Sequence, residues 1–373
     1  MKIVIAPDSF KGSLSAPQVC EALQNGARRV FPDAQFEICP LADGGEGTLD
    51  VLVQNAGGFF KTTRVQNPLG ESIEAQWGIL PDGRAVIEMA HASGLTLISP
   101  EKRDAKNAST FGTGQLIRAA LGAGCREILV CIGGSATTDG GAGAMAALGA
   151  IFRDEHDVVL RRGGADLRRL HSIDLRFLEP KLQKAQITVL CDVSNPLCGE
   201  NGAARVYGPQ KGATSEDVEI LDSALGNFAR VCHKKCGEDF SNRSGAGAAG
   251  GLGFGLMIFC GASARSGIEV VLEAANFEER LRGADLVLTG EGALDSQTLR
   301  GKVVAGVCRA AKPQKIKVVA FGGKVDLSGA QMDELGLQSA FSLVDGPRDL
   351  NSCLEDAAPL LENAVERFFR LQL

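Results

Sequence analysis

Leu129–Gly143, LVCIGGSATTDGGAG, is the stretch on which the fold turns. Ile128–Ile132 is an apolar run of strand length, and Gly133-Gly134 ends it. Three hydroxyl residues (Ser135, Thr137, Thr138), Asp139 and the pair Gly140-Gly141 follow. Ala142 to Ala150 are small, which predicts a closely packed helix. A strand, a glycine turn, hydroxyls and a helix start form a layout that receives an anion. Glycines let the main chain approach the ligand, and free N–H groups at the helix start point at it. The expected phosphate-holding residues are therefore Gly133, Gly134, Ser135, Thr138, Asp139 and Gly140.

Outward from this stretch, the two ends of the chain are alike and the middle differs. Ile3–Ala6 reads as a strand, Val19 to Phe31 as an amphipathic helix, Phe36–Cys39 as a strand, and a helix runs to about Ala56. The same β-α rhythm returns after Ser266, with strands at Asp285–Thr289, Ile316–Phe321 and Ala340–Val344, and a terminal helix kinked at Pro359. Between them, Ile73, Ala75, Trp77 and Ile79 alternate with polar residues, and Pro81-Asp-Gly83 turns the chain into Arg84–Met89. That is an antiparallel hairpin, foreign to a pure βαβ chain. The expected fold is α/β in two domains: a discontinuous Rossmann-like parallel-sheet domain (1–65 and 266–373) and an inserted mixed α/β domain (66–265). Residues 101–150 are themselves α-β-α and fit either domain.

Three further loops carry chemistry. Thr289–Thr298 leaves the carboxyl end of a strand, where open sheets bind ligands. It offers two acids, Glu291 and Asp295, for a metal ion, Lys302 just beyond for a phosphate, and Gly290 with Glu291 beside the nucleotide's phosphates. It is not a Walker loop, because Ser296 stands where a glycine is required. The second is Cys191–Gly199, in which Asp192 and Asn195 suit a metal or a hydroxyl proton, with Lys211 in the nearby Pro-Gln-Lys-Gly-Ala run. An Asx turn before Pro196 explains Asp192 as readily. The third is the pair of N-terminal loops, Asp8, Ser9 and Lys11 after the first strand and Asp43, Gly45 and Glu46 after the second. A lysine and a hydroxyl there hold a small carboxylate or phosphate, and the acids hold hydroxyls.

The 373 residues exceed one ordinary core, and 45% apolar with 23% charged residues is a soluble globular composition. A net charge of −6 advertises no nucleic-acid surface. No stretch approaches a membrane span, and only four apolar residues precede Pro7, which predicts no secretory signal. The eleven cysteines are scattered, with Cys131 and Cys191 inside strand-like runs, so a reduced, cytoplasmic protein is expected. Gly245–Gly250 matches the dinucleotide pattern G-x-G-x-x-G, but Asp239–Ser244 before it is no strand; a tight turn or a packed helix is expected instead.

Together these stretches resemble one family. Ala-Pro-Asp-Ser-Phe-Lys-Gly at 6–12, Leu-Ala-Asp-Gly-Gly-Glu-Gly-Thr at 41–48 and Gly-Gly-Ser-Ala-Thr-Thr-Asp-Gly-Gly at 133–141 look like its signature. Pro-Gln-Lys-Gly-Ala at 209–213, Gly-Ala-Gly-Ala-Ala-Gly-Gly-Leu-Gly at 245–253 and Thr-Gly-Glu-Gly at 289–292 complete it. The family is the bacterial glycerate kinases of the glyoxylate and glucarate pathways; its members commonly carry Asn where this chain has Thr138. The resemblance implies ATP-dependent phosphorylation of D-glycerate, usually at position 2, with related enzymes making the 3-phosphate. It also implies an active site in the cleft between two α/β domains.

On that reading the glycerate hydroxyl attacks the γ-phosphorus of Mg-ATP. Gly133 to Gly141 cradle phosphate, and Lys302 or Lys211 neutralises it. Asp192 or Asp295 holds Mg²⁺, and one of the two accepts the proton. Lys11 and Ser9 hold the substrate carboxylate, with Asp8, Asp43 and Glu46 around its hydroxyls. Partners are thus small molecules, with no nucleic acid or membrane. A nicotinamide-dependent oxidoreductase and a non-catalytic sugar-acid binding protein are the rival classes.

Overall fold

The structure, a computed structural model, describes residues 1–371. In chain order its strands are β1 (Lys2–Ile5), β2 (Gln35–Ile38), β3 (Phe59–Gln66), β4 (Ser72–Ile79), β5 (Ala85–Glu88), β6 (Glu127–Cys131) and β7 (Ile151–Arg153). They continue as β8 (Ser172–Asp174), β9 (Gln186–Leu190), β10 (Ser263–Arg265), β11 (Leu286–Leu294), β12 (Lys317–Val325) and β13 (Ser339–Ser342). The chain forms two compact units, one from residues 1–43, 50–56 and Ser266 onward, the other from 44–49 and 57–265.

The terminal unit holds a parallel sheet in the order β13-β12-β11-β1-β2. Alternate strand residues share a face, so Ile3, Ile5, Leu288, Val319 and Phe321 enter one core with Val19 and Leu23 of the helix Ala16–Arg28 and Val365 and Phe369 of the helix Ala357–Arg370. Those helices pack closely, because a Cβ on Gly26 would stand 2.4 Å from the Glu362 carbonyl oxygen. The terminal helix is not kinked at Pro359. The chain breaks at Asp356, and Pro359 falls in the first turn of Ala357–Arg370, where the missing N–H costs nothing. Strand β1 lies between β2 and β11, so the direction of strand addition reverses there. In open α/β sheets that switch point, at the strands' carboxyl ends, is where ligands bind.

The inserted unit is built on a mixed sheet, β10-β9-β6-β5-β4-β3, in which β3, β4 and β5 run antiparallel and β5, β6, β9 and β10 parallel. Trp77, Ile87, Ile128, Val130, Val189, Phe228 and Phe254 form its core. The boundary between the units departs from expectation. Residues 57–65 belong to this unit and not to the terminal one, because β3 pairs with β4 along its whole length and Trp77 Nε1 donates to Thr63 Oγ1 at 2.9 Å. Residues 101–150 lie wholly within it. The charged stretch 151–185 contains the small hairpin β7–β8.

Candidate active-site loops

In the terminal unit the switch point gathers acids from three neighbouring strands. Backbone bonds from Ala6 N to Leu288 O (2.8 Å) and from Asp8 N to Gly290 O (2.9 Å) carry the β1–β11 pairing past the end of β1. Asp8 is therefore held rigidly at the carboxyl end of its strand, with 5% of its surface exposed. Its Oδ1 accepts the Ser9 N–H at 2.7 Å and the Ser9 hydroxyl at 3.3 Å. Burial pushes the Asp8 pKa up to about 7, and the charge of Asp43 adds to this; the Ser9 N–H and Lys11 pull against it, and Glu291 adds a smaller push. Lys11 is exposed on the same loop, whose turn Gly12 makes at φ +79°.

The segment expected to be a glycine loop after Thr289 is instead strand. β11 runs to Leu294 and stays paired with β12, so Gly290 and Glu291 are ladder residues and not a phosphate turn. Gly290 is required by close packing, since a Cβ there would stand 2.3 Å from the Phe321 carbonyl oxygen. The Glu291 carboxylate is buried, accepts the Thr298 hydroxyl at 2.5 Å, and pairs with Lys302 Nζ at 3.3 Å. Burial raises its pKa, while Thr298 and Lys302 hold it down. Lys302 therefore answers Glu291 and is only partly exposed. Asp295 closes an Asx turn, its Oδ1 accepting the Gln297 N–H at 2.8 Å.

In the inserted unit the loop 133–141 leaves the carboxyl end of β6. Gly134, Gly140 and Gly141 adopt φ of +72°, +63° and +80°, a conformation that side chains resist. Among the described residues, the N–H groups of Gly133, Gly134 and Ser135 donate to no acceptor. The loop is held from behind. Asp139 is fully buried, and its Oδ2 takes the N–H of Thr110 (2.8 Å), its hydroxyl (2.9 Å) and the Gly143 N–H (3.2 Å), while Oδ1 takes the Gly141 N–H (3.1 Å). Burial pushes its pKa up and the bonds from Thr110, Gly141 and Gly143 pull it down. The carboxylate expected to face phosphate is thus turned inward, because five donors, from Ser109, Thr110, Gly141 and Gly143, converge on it.

Lys211 is likewise under the loop. It is 2% exposed, and its Nζ donates to the Thr137 carbonyl at 2.5 Å. Burial lowers its pKa to about 7, with Asp139 pulling it back up. It supports the loop where a phosphate counter-charge was expected. The glycine run 245–251 closes the same support. Gly250 O accepts the Gly140 N–H at 3.0 Å, and a Cβ on Gly250 would stand 1.9 Å from the Thr137 carbonyl oxygen. As expected, the run is not a dinucleotide turn.

The segment Gly44–Leu49, which belongs to the inserted unit, meets this loop. A Cβ on Gly133 would stand 2.7 Å from Gly45 Cα. Glu88, at the end of β5, fixes the segment by accepting the N–H groups of Gly47 (3.1 Å) and Leu49 (3.1 Å). Sequence reading passed over Glu88, although a buried acid closing the apolar run Ala85–Ile87 is a visible signal. Glu46 is exposed on this segment, and Asp192 is exposed at the carboxyl end of β9, beside β6. Asn195 is engaged within the fold, giving Nδ2 to the Asn201 carbonyl and accepting the Tyr207 hydroxyl.

Among the described residues no set of three or more His, Cys, Asp or Glu is disposed to hold a metal.

The Thr138 hydroxyl is buried and has no partner among the described residues. A buried unpaired hydroxyl is costly, so Thr138→Val, which keeps the shape, is expected to stabilise the protein by about 1 kcal/mol. Urea denaturation reads this directly, and a lower midpoint would mean that the hydroxyl is bonded after all.

A sequence profile of the glycerate kinase family matches residues 3–373. A glycerate kinase of Bacillus subtilis is 46% identical over 366 residues, covering 98% of this chain and 96% of that one. The glycerate 2-kinase of Escherichia coli K12 is 45% identical, covering 96% and 94%. A solved structure described as glycerate kinase 2 of Salmonella typhimurium LT2 superposes with a TM-score of 0.87 at 44% identity, covering 100% of this chain and 98% of the other. No helix among the described residues is long and apolar enough to cross a membrane. An α/β chain matched from end to end in this way, with its glycine and acid motifs at the carboxyl ends of its strands, is a kinase and belongs to the glycerate kinase family.

Proposed function

We propose that the protein transfers the γ-phosphoryl group of Mg-ATP to D-glycerate, giving 2-phosphoglycerate and ADP, in the cytoplasm. The observation that carries this reading is the loop 133–141, whose N–H groups at Gly133, Gly134 and Ser135 have no acceptor among the described residues, in a chain of this family. Such a loop suits phosphate oxygens, and phosphoryl transfer asks the protein mainly for positioning and charge stabilisation. The E. coli relative named glycerate 2-kinase supports position 2.

The roles divide by chemistry. Lys11 and Ser9 suit the glycerate carboxylate, with Asp43 and Glu46 at its hydroxyls. The amides of the loop, with the Ser135 hydroxyl, suit phosphate, and Asp139 and Lys211 hold that loop in shape. Lys302 carries the counter-charge nearest Glu291. Mg²⁺ accompanies ATP and supplies charge neutralisation on the phosphates, and Asp192 or Asp295 would hold it.

The test is ³¹P NMR of the protein with Mg-ATP and D-glycerate. A phosphomonoester growing as ADP appears, split by one proton, is the expected result. Splitting by two protons would assign the 3-phosphate. Intact ATP with folded protein would overturn the glycerate reading.

A further inference from the structure

We propose that Asp8 takes the proton from the attacking hydroxyl of the substrate. The assignment rests on the phosphoryl-transfer reading above and goes beyond it by naming the base, for which the sequence offers Asp192 or Asp295.

Position comes first. Asp8 stands at the carboxyl end of β1, the strand at which the direction of sheet addition reverses, where open α/β sheets bind their ligands. The backbone bond to Gly290 fixes it there. Its side chain is almost wholly buried, yet only one oxygen is spent: Ser9 donates twice to Oδ1, and among the described residues nothing bonds Oδ2. One oxygen is held and the other is open, which is how a proton acceptor is oriented.

The surroundings suit the task. Asp43 follows β2 on one side, Glu291 lies on β11 on the other, and Lys11 is on Asp8's own loop; Lys302 sits against Glu291. Burial and the two acids favour a proton on Asp8, Lys11 and the Ser9 N–H oppose it, and the balance falls at about 7. A base poised near the working pH is the efficient one. The two alternatives are placed differently. Asp192 is exposed, and Asp295 is tied into its turn by Gln297.

The step balances without a further reactant. The substrate hydroxyl oxygen bonds to the γ-phosphorus, the bond from that phosphorus to the β,γ-bridging oxygen breaks, and the electron pair leaves on ADP. The hydroxyl proton passes to Asp8 Oδ2.

The experiment measures kcat and kcat/KM from pH 5 to 9 for the wild type, Asp8→Asn and Asp43→Asn, with ATP affinity read separately by equilibrium binding. The wild type is expected to lose kcat/KM below about pH 7 with a slope of one proton. Asp8→Asn should lose about 10²–10⁴-fold in kcat, keep its ATP affinity, and show no acid limb in what activity remains. Asp43→Asn should keep the limb and move it to lower pH, because a charge that raises Asp8 has gone. An active wild type beside an Asp8→Asn variant of similar kcat overturns this assignment alone. A wild type that consumes no ATP overturns the phosphoryl-transfer reading and the base with it. Should Asp8→Asn not fold, an acid limb unmoved in Asp43→Asn overturns the assignment.

Discussion

Asp139→Ala is expected to destabilise the inserted unit by about 3–5 kcal/mol. The carboxylate is fully buried and takes N–H groups from Thr110, Gly141 and Gly143 together with the Thr110 hydroxyl. Alanine leaves those buried donors without an acceptor, and the cost of an unmade buried bond far exceeds the net gain of a made one. The bonds also join the start of the helix Phe111–Gly122 to the start of Ala142–Ala147, so their loss frees the C-terminal end of the loop 133–141. Urea denaturation followed by fluorescence of the single tryptophan, Trp77 in this unit's core, reads the change. An unchanged midpoint would show that the carboxylate does not hold the loop.

Lys211→Met is the second large effect, and pH reveals it. The folded protein holds the amine at a pKa of about 7 against an ordinary 10.5, because burial disfavours its charge. Between those values the unfolded chain binds the proton that the folded chain has lost. Stability therefore rises with pH through this window, by roughly 5 kcal/mol in full at about 1.4 kcal/mol per pH unit. Methionine fills the space without titrating, so the variant should be the more stable of the two near pH 7 and lose that advantage by pH 10. It also frees the Thr137 carbonyl, and a displaced loop should lower kcat by up to about 10²-fold. Parallel stability–pH curves for the two proteins would mean that Lys211 does not titrate in the fold.

The candidate loops could be read from the sequence because their composition is local. Gly133–Gly141 reads as a candidate anion loop through its glycines and hydroxyls, and Asp8, Asp43 and Lys11 stand out as candidates by following short apolar strands. The parallel β-α rhythm at both ends of the chain was equally plain, since helical spacing and strand runs are written in neighbouring residues. What misled was direction. Asp139 and Lys211 have the residue types of ligand-facing groups, yet both point inward. Strand β3 was passed over because its residues are mostly exposed and polar, and only pairing with β4 makes them a strand. Gly290 and Glu291 looked like a turn because glycine is usually a breaker, whereas close packing on Phe321 is what requires glycine there.

The sequence by itself determined the α/β fold class, the family and the candidate loops, because periodicity, chain breaks and motif spacing depend on residues a few positions apart. Only the tertiary structure decided which polar groups hold the scaffold and which are left with an open atom. Asp139 meets Thr110, Lys211 meets Thr137, and Asp8 is flanked by Asp43 and Glu291, all of them far apart along the chain. A carboxylate's proton affinity and orientation are set by burial and by the charges and donors around it, and those neighbours exist only once the chain has folded.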